Sequence, residues 1–204
     1  EPDEASAGEP AAGLVNLDSI GSIGKPFSGT FDGNNKTISG LYMYQGHEGL
    51  GFIGNAKDAV IKNVILRDAC VINMNTKTKE VEKDGATTTT HDCDDDDRFG
   101  ILVGLIESGS TTIENCIVEG VAGSAAAYGR NTTYEYIGGL IGRCDAATTA
   151  KNCVVLARIY GSGAVICKKT DTNVLQTNVS AYDAKTQLTE GIAAIDAAVA
   201  AARQ

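Results

Sequence analysis

The side chains best suited to bind a ligand lie together in one stretch, residues 122–136. It contains Tyr128, Arg130, Tyr134 and Tyr136. Tyrosine and arginine are enriched at the centres of binding interfaces, because each combines a broad contact surface with hydrogen-bonding groups. We therefore predict that this stretch binds a glycan or a protein. The alternative is that its rings only seal the loop onto the rest of the protein.

A second stretch, residues 91–97, is strongly acidic, with the sequence HDCDDDD. Ca²⁺ prefers oxygen ligands, so Asp92, Asp94, Asp95 and Asp96 are its candidate ligands. The spacing does not fit an EF-hand, which needs a glycine in the middle of its loop and a glutamate at its end. A solvated acidic loop is the favoured interpretation, and no cofactor is predicted apart from this calcium candidate.

The elements that must hold these stretches in place are repeated along the chain. Apolar residues between glycines recur in LGFIG, GILVG and GGLIG, at residues 50–54, 100–104 and 138–142. A second element follows each of them, at residues 61–64, 113–116 and 150–153. Self-similarity of this kind is typical of repeat folds, in which each unit buries its apolar face against its neighbours.

An asparagine stands in each second element where the apolar alternation slips by one residue. These residues are Asn63, Asn115 and Asn152, with Gly40 at the corresponding place in an earlier copy. A strand of period two cannot slip without a bend or bulge, and asparagine tolerates the left-handed backbone that a bend needs. We predict that these asparagines mark a bend and that their side chains stack as a hydrogen-bonded ladder.

Aligning the copies predicts which side chains stack inside the protein. The three predicted inward columns are Ile38, Ile61, Ile113 and Ala150; Leu41, Val64, Cys116 and Cys153; and Met43, Leu66, Val118 and Val155. Because Cys116 and Cys153 share a column, they either form a disulfide between neighbouring repeats or remain buried thiols that pack as small apolar groups. The chain has six cysteines but no CxxC spacing, so no structural zinc site is predicted.

Short strands with bends, repeated along the chain, predict an all-β fold, a parallel β-helix or solenoid of about four to five coils. One coil cannot bury its apolar face alone, so stacked coils make a continuous core. We predict three segments: a disordered acidic tail over residues 1–12, the β-helix over residues 13–182, and a C-terminal α-helix within residues 183–204.

The C-terminal helix is predicted from a change of period. Apolar residues recur there at three- and four-residue intervals with alanines between them: Leu188, Ile192, Ile195 and Val199. This spacing is typical of an amphipathic helix. The helix is expected to cap the solenoid or to link onward, with oligomerisation as the alternative. Packing within the chain is favoured because so short a helix is rarely stable alone.

In a solenoid, the junctions between one coil and the next lie on one corner, where insertions often form a binding face. Tyr44 and His47 lie in the first junction, and the acidic stretch lies in the second. The tyrosine- and arginine-containing stretch lies in the third. We therefore predict that Tyr44 and His47 belong to the same ligand-binding corner as the residues of the third junction.

Residues 26–41, PFSGTFDGNNKTISGL, resemble the first coil of bacterial surface proteins with GLUG repeats. The glycine elements at 50–54, 100–104 and 138–142 resemble the GLUG motif itself, in degenerate form in the first two. The resemblance covers residues 14–182. It implies a right-handed parallel β-helix and an adhesin of Bacteroides-like bacteria, extracellular or anchored to the outer surface. It supplies no catalytic or ligand-binding residue.

Composition narrows the class of function. The chain of 204 residues has a formal net charge of −9, which argues against a nucleic-acid partner because such partners need a basic surface. No apolar run approaches the roughly 20 residues of a membrane-spanning helix. We expect a monomer without a membrane span, whose partner is a host or environmental glycan or a surface protein.

The favoured function is a non-enzymatic, adhesin-like binding module of the cell surface. One alternative is a carbohydrate-active β-helix enzyme, because residues 31–34, FDGN, resemble a segment of pectin lyases and polygalacturonases. Such an enzyme needs paired carboxylates, or Ca²⁺ with an Arg or Lys, on neighbouring coils. The polar column beside the asparagines instead has mixed charge: Ser39, Lys62, Glu114 and Lys151. The other alternative is a passive stalk within a larger surface protein.

Overall fold

The computed structural model describes residues 16–46, 48–73, 77–83, 86–92, 98–124, 136–161, 163–167 and 174–204. Most of these residues lie in β-strands, which are followed by one α-helix, α1 (Leu188–Ala202). The predicted acidic tail lies outside the described residues. In chain order the strands are β1 (Phe27–Asp32), β2 (Thr37–Ser39), β3 (Tyr42–Gln45), β4 (Ile53–Lys62), β5 (Ile65–Asn73), β6 (Lys77–Lys83), β7 (Ala86–Asp92), β8 (Arg98–Gly100), β9 (Val103–Ser108), β10 (Ser110–Glu114), β11 (Ile117–Ser124), β12 (Tyr136–Gly138), β13 (Ile141–Cys144), β14 (Ala147–Lys151), β15 (Val154–Tyr160), β16 (Gly163–Ala164), β17 (Val174–Thr177) and β18 (Ser180–Asp183).

Parallel sheets make up most of the described fold. The largest has seven strands in the order β13-β9-β4-β10-β14-β17, with β1 also beside β4. The second has six strands in the order β18-β15-β11-β5-β2, with β3 also beside β5. Strands β16, β12 and β8 form a three-stranded sheet, and β6 and β7 form a separate antiparallel hairpin.

The prediction of a single right-handed parallel β-helix is wrong. The strands form several parallel sheets, which include a curled half-barrel. They do not run as one solenoid over residues 13–182. One reason is that strand β4 changes its neighbours along its length. Ile53 near its start pairs with β9, and Ile61 near its end pairs with β1 and β10. Between them, the register with β9 shifts between Asn55 and Lys57. The antiparallel β6–β7 hairpin is a second reason, because it interrupts the series of parallel strands.

The glycine elements stack as their alignment predicts. Ile53, Val103 and Ile141 are register neighbours on β4, β9 and β13. The backbones approach each other so closely that a Cβ atom at position 142 would lie 2.6 Å from the carbonyl oxygen of Gly104. Glycine is required at position 142 because any side chain there would collide with the neighbouring backbone.

The second elements also align, except in the first copy. The neighbours in register on β4, β10 and β14 are Ile61, Ile113 and Ala150, which are fully buried. In the first copy, however, Phe31 pairs with Ile61, and Ile38 pairs with Leu66 instead. The predicted membership of Ile38 in this column is therefore wrong.

A different bend explains the error in the first copy. Asn34 and Asn35 both adopt the left-handed conformation, with φ of 49° and 53°. They lie beside Asn63, whereas Gly40 lies beside Arg67. The predicted match of Gly40 with Asn63 is therefore wrong, and it displaced the rest of this copy. Met43 consequently pairs with Val71 and not with Leu66.

The predicted asparagine ladder is confirmed. Nδ2 of Asn115 donates to Oδ1 of Asn63 at 3.2 Å, and Nδ2 of Asn152 donates to Oδ1 of Asn115 at 3.3 Å. The structure extends the ladder at both ends, because Asn178 donates to Asn152 and Asn63 donates to Asp32, each at 2.9 Å. The ladder asparagines have φ between 51° and 54°, so the same residues supply the bend and the hydrogen bonds.

Asp32 ends the ladder because a carboxylate accepts hydrogen bonds but does not donate them. It accepts from Nδ2 of Asn63 and from the backbone N–H of Asn34, and Nζ of Lys62 lies 3.5 Å from its Oδ2. These contacts favour the charged carboxylate, first the Asn63 bond, then the Asn34 bond and the Lys62 charge, and they hold the pKa of Asp32 below its usual value.

The ladder makes a prediction about Asn115, which combines a positive φ with ladder bonds on both sides. Asn115→Ala is expected to lower the free energy of unfolding by about 2 kcal/mol, because alanine disfavours the left-handed backbone and cannot form the bonds. Asn115→Gly is expected to lower it by only about 1 kcal/mol, because glycine relieves the backbone term alone. Urea unfolding measures both. If both variants lost the same free energy of unfolding, the backbone contribution would be contradicted. If the glycine variant lost none, the ladder contribution would be contradicted.

Cys116 and Cys153 are fully buried thiols with no disulfide between them. Each thiol donates to a carbonyl oxygen two residues earlier in its own chain segment, that of Glu114 and that of Lys151, at 3.3 Å in both cases. The structure therefore shows the buried-thiol alternative and not the cross-link.

Helix α1 packs within the chain, against the outer face of the six-stranded sheet. Ile195 and Val199 contact Ile65, Ile117 and Leu156 in one apolar cluster. The helix thus covers a sheet face and not the open end of a stack of strands. Within the part of the chain that the structure describes, no helix is both long enough and apolar enough to cross a membrane.

Candidate functional site

The structure describes only part of the predicted binding corner. Tyr44 lies on β3 in the six-stranded sheet, whereas Tyr136 lies on β12 in the three-stranded sheet. The two residues therefore do not share a sheet, and Tyr136 instead packs against Arg143, whose Cζ lies 4.8 Å from its ring centroid. The remaining predicted residues lie outside the described part of the chain: His47, Tyr128, Arg130, Tyr134, Asp94, Asp95 and Asp96.

The calcium candidate has only its first residue in the described structure, since Asp92 is the last residue of β7. Among the described residues, no group of three or more His, Cys, Asp or Glu side chains is placed to hold a metal ion. The calcium site stays a prediction from the sequence.

A different set of side chains comes together on the outer face of the six-stranded sheet. Side chains alternate between the two faces along a strand. Met43 is buried in the core, so Tyr42 and Tyr44 on either side of it point outward from β3. Their register partners on β5 are Cys70 and Ile72, which are also half-buried. Two rows of outward side chains begin at these two pairs.

Both rows continue across β11 and β15. The first row adds Val121 and Arg158, and the second adds Gly123 and Tyr160. Neighbouring strands lie about 4.8 Å apart, so the three steps from β3 to β15 span about 14 Å. We call this surface the tyrosine face; it consists of Tyr42, Tyr44, Cys70, Ile72, Val121, Gly123, Arg158 and Tyr160.

A bulge in β5 keeps the tyrosine face continuous. Asp68 has a φ of 53°, and the register between β5 and β11 shifts between Val118 and Gly120. One additional residue of β5 is accommodated there, as in a β-bulge. Because of this residue, Ile65 faces α1 on one side of the bulge and Cys70 still faces outward on the other.

Gly123 leaves room for Tyr160 within the second row. A Cβ atom at position 123 would lie 2.9 Å from the Cβ of Tyr160 and 3.6 Å from Cδ1 of Ile72. Real Cβ atoms rarely approach that closely, so a side chain at this position would displace the tyrosine. The glycine thus lets the Tyr160 side chain lie on the sheet surface beside it.

Helix α1 divides the outer face of the sheet into two halves. It covers the half that contains Ile65, Ile117 and Leu156, and it begins at Leu188, beside the tyrosine face. Arg158 is exposed and the face's three tyrosines are half-buried. The rings are therefore fixed by their strands but still present part of their surface to solvent.

The tyrosine face combines neutral rings with a positive end. The rings of Tyr42 and Tyr44 stack with their centroids 6.2 Å apart. Burial raises the pKa of Tyr42 and of Cys70 above their usual values, so both side chains are neutral at neutral pH. At the other end, Cζ of Arg158 lies 4.9 Å from the ring centroid of Tyr160, a cation–π distance.

A groove of about 340 Å³ runs between the tyrosine face and the start of α1. Cys70, Val121, Leu156, Arg158 and Leu188 contribute to its walls. Three charged side chains, Asp68, Glu119 and Arg158, lie among these apolar ones. Such a mixture is typical of small-ligand sites, where apolar surface gives affinity and a few polar groups give orientation. Burial raises the pKa of the Cys70 thiol, so this groove residue is not an activated thiolate.

Tyr42, Arg158 and Tyr160 are site residues that were not predicted from the sequence. Their signal was an alternation of outward and buried residues, at the start of β3 in Tyr42-Met43-Tyr44 and at the end of β15 in Arg158-Ile159-Tyr160. Each outward residue flanks a buried one, so the pairs belong to one sheet face. Of the predicted site residues within the described ranges, Tyr44 is the one that lies on this face.

No protein-family model, no curated protein and no solved structure matches this chain. The resemblance of residues 26–41 and of the glycine elements to GLUG repeats therefore stays a prediction from the sequence.

Proposed function

We propose that this protein is a non-enzymatic, adhesin-like binding module that holds a glycan on its tyrosine face. The observation that carries the proposal is the register of the six-stranded sheet, which places Tyr42, Tyr44 and Tyr160 with Arg158 on one surface beside a groove. The GLUG-like segments support a location outside a bacterial cell or anchored to its outer surface.

A glycan suits this surface for a physical reason. Sugar rings have apolar C–H faces and a rim of hydroxyl groups, and tyrosine offers an apolar ring face with a hydroxyl at its edge. Tyr42, Tyr44 and Tyr160 project from regular strands, so little conformational freedom is lost when a ligand binds. A face about 14 Å long, from the strand spacing, accommodates an extended oligosaccharide and not a single sugar.

The test is a glycan array probed with the intact chain and two alanine variants. Tyr160→Ala removes a ring of the tyrosine face, and Tyr136→Ala removes a half-buried tyrosine of another sheet as the matched control. We expect Tyr160→Ala to weaken binding by about tenfold or more, as at binding hot spots, and Tyr136→Ala to bind as the unaltered chain does.

Two results would contradict the proposal. Binding that survives Tyr160→Ala but is lost in Tyr136→Ala would move the site to the three-stranded sheet and the stretch that precedes it. Shortened or unsaturated glycan products, detected by mass spectrometry after incubation with the unaltered chain, would show the enzymatic alternative instead.

A further inference from the structure

The tyrosine face carries two cations at one end. Cζ of Arg158 lies 4.9 Å and Nζ of Lys185 lies 5.9 Å from the ring centroid of Tyr160, so the ring is flanked by positive charge. Both side chains are exposed. Among the described residues, neither takes part in an ion pair.

Nearby acids are engaged elsewhere. Oε2 of Glu119 lies 2.6 Å from Nε of Arg67, which neutralises that arginine on the same sheet face. Asp183 accepts a hydrogen bond from the backbone N–H of Lys185 at 2.8 Å and not from its ammonium group. The exposed Asp68 also lines the groove, so we place the positive end of the face at Tyr160 and not in the groove.

We propose that the glycan held by the tyrosine face is anionic, an oligosaccharide whose carboxylate or sulfate groups are bound by Arg158 and Lys185 beside the Tyr160 ring. This inference rests on the proposed function, because it names the class of glycan for the same surface. It adds a charge requirement that stacking on tyrosine rings alone does not have.

The chemistry of the two cations fits such groups. A guanidinium group is planar and offers parallel N–H donors that match the oxygens of a carboxylate or sulfate. Contact with the Tyr160 ring restrains Arg158 before a ligand arrives, which lowers the entropy lost on binding. Lys185 adds a second charge on the same ring.

Only the groups near Tyr160 can attract an anionic ligand, because the protein as a whole is acidic. The chain has a formal net charge of −9, so an anionic ligand gains nothing from long-range attraction to the protein as a whole. Attraction depends instead on the short-range contacts to Arg158 and Lys185, which salt screens when they are near the surface. Binding is therefore expected to weaken as the NaCl concentration rises.

The experiment compares ligands that differ in charge but not in backbone. The probes are a hyaluronan tetrasaccharide, its carboxyl-reduced neutral form, and an O-sulfated hyaluronan tetrasaccharide, titrated into the full chain by calorimetry. The variants are Arg158→Gln and Lys185→Gln, and Lys57→Gln on the seven-stranded sheet is the matched control for loss of one exposed positive charge.

We expect at least one anionic probe to bind about tenfold more tightly than the neutral form, the size of effect that one charge-assisted hydrogen-bonded contact gives. Arg158→Gln should remove most of that difference, and Lys57→Gln should leave it unchanged. The carboxylate-only and sulfated probes show which anion is preferred.

Equal binding of charged and neutral probes, or an unchanged preference in Arg158→Gln, would overturn the inference. So would the absence of binding by all three probes. These failures are distinguishable from failure of the proposed function, because neutral glycans on the array that lose binding in Tyr160→Ala would still support the tyrosine face as a glycan site.

Discussion

Gly142→Ala is expected to lower the free energy of unfolding by about 3 kcal/mol or more, because the added methyl group meets backbone atoms that cannot move independently. A Cβ atom at position 142 would lie 2.6 Å from the carbonyl oxygen of Gly104 and equally close to the backbone nitrogen of Phe99. Relief of this contact requires neighbouring strands to separate. Chemical denaturation of the purified variant measures the loss.

The matched control is Gly24→Ala. A Cβ atom at position 24 would have no other atom within 4 Å, so this variant is expected to change the free energy of unfolding by less than about 0.5 kcal/mol. Similar stability of the two variants would contradict the close stacking of the glycine elements.

Phe99→Ala is expected to have an effect of similar size, about 3–5 kcal/mol, because it leaves a cavity in a packed core. Phe99 is fully buried on β8, where it pairs with Ile137 and bridges to Leu50. Its ring is among the largest side chains that are wholly removed from solvent. Without the ring, the side chains that surround it lose their packing contacts with it.

Phe52→Ala is the matched control for the loss of Phe99. Phe52 is half-buried and makes an edge-on contact with Phe31, with the ring centroids 5.2 Å apart. Its replacement is expected to lower the free energy of unfolding by about 1–2 kcal/mol, since only part of its surface is removed from water. If Phe99→Ala proved no more destabilising than Phe52→Ala, the core would not be centred where the structure places it.

Features that depend on local spacing could be predicted from the sequence. The glycine elements repeat at positions where backbones touch, and the asparagines stand at bends that need a positive φ. Each of these features therefore requires a particular residue type, which can be recognised in the sequence. The C-terminal helix was likewise predictable, because its apolar residues change to a helical period.

The division into sheets could not be predicted in the same way. Repeat alignment indicates which segments are neighbours, but it does not show where one sheet ends and the next begins. That depends on register shifts such as the one between Asn55 and Lys57, which arise from strand twist and packing and leave no pattern in the sequence. The β-helix prediction failed for this reason.

The tyrosine face was missed because one register was misaligned. The alignment placed Met43 beside Leu66, which would put Tyr42 and Tyr44 next to residues that lie under or near α1. The different bend in the first copy instead places Met43 beside Val71. This register, five residues away from the predicted one, places the two tyrosines on the uncovered half of the sheet.

The most direct test of the tyrosine face is an amide correlation spectrum of the isotope-labelled chain, recorded with and without the best-bound array oligosaccharide. We predict that the largest chemical-shift changes fall at the C-terminal ends of β3, β5, β11 and β15, around Tyr44, Ile72, Gly123 and Tyr160. The half of the sheet under α1 should change little. Changes confined to residues 125–135, with those four strands unaffected, would contradict the account and return the site to the stretch predicted from the sequence.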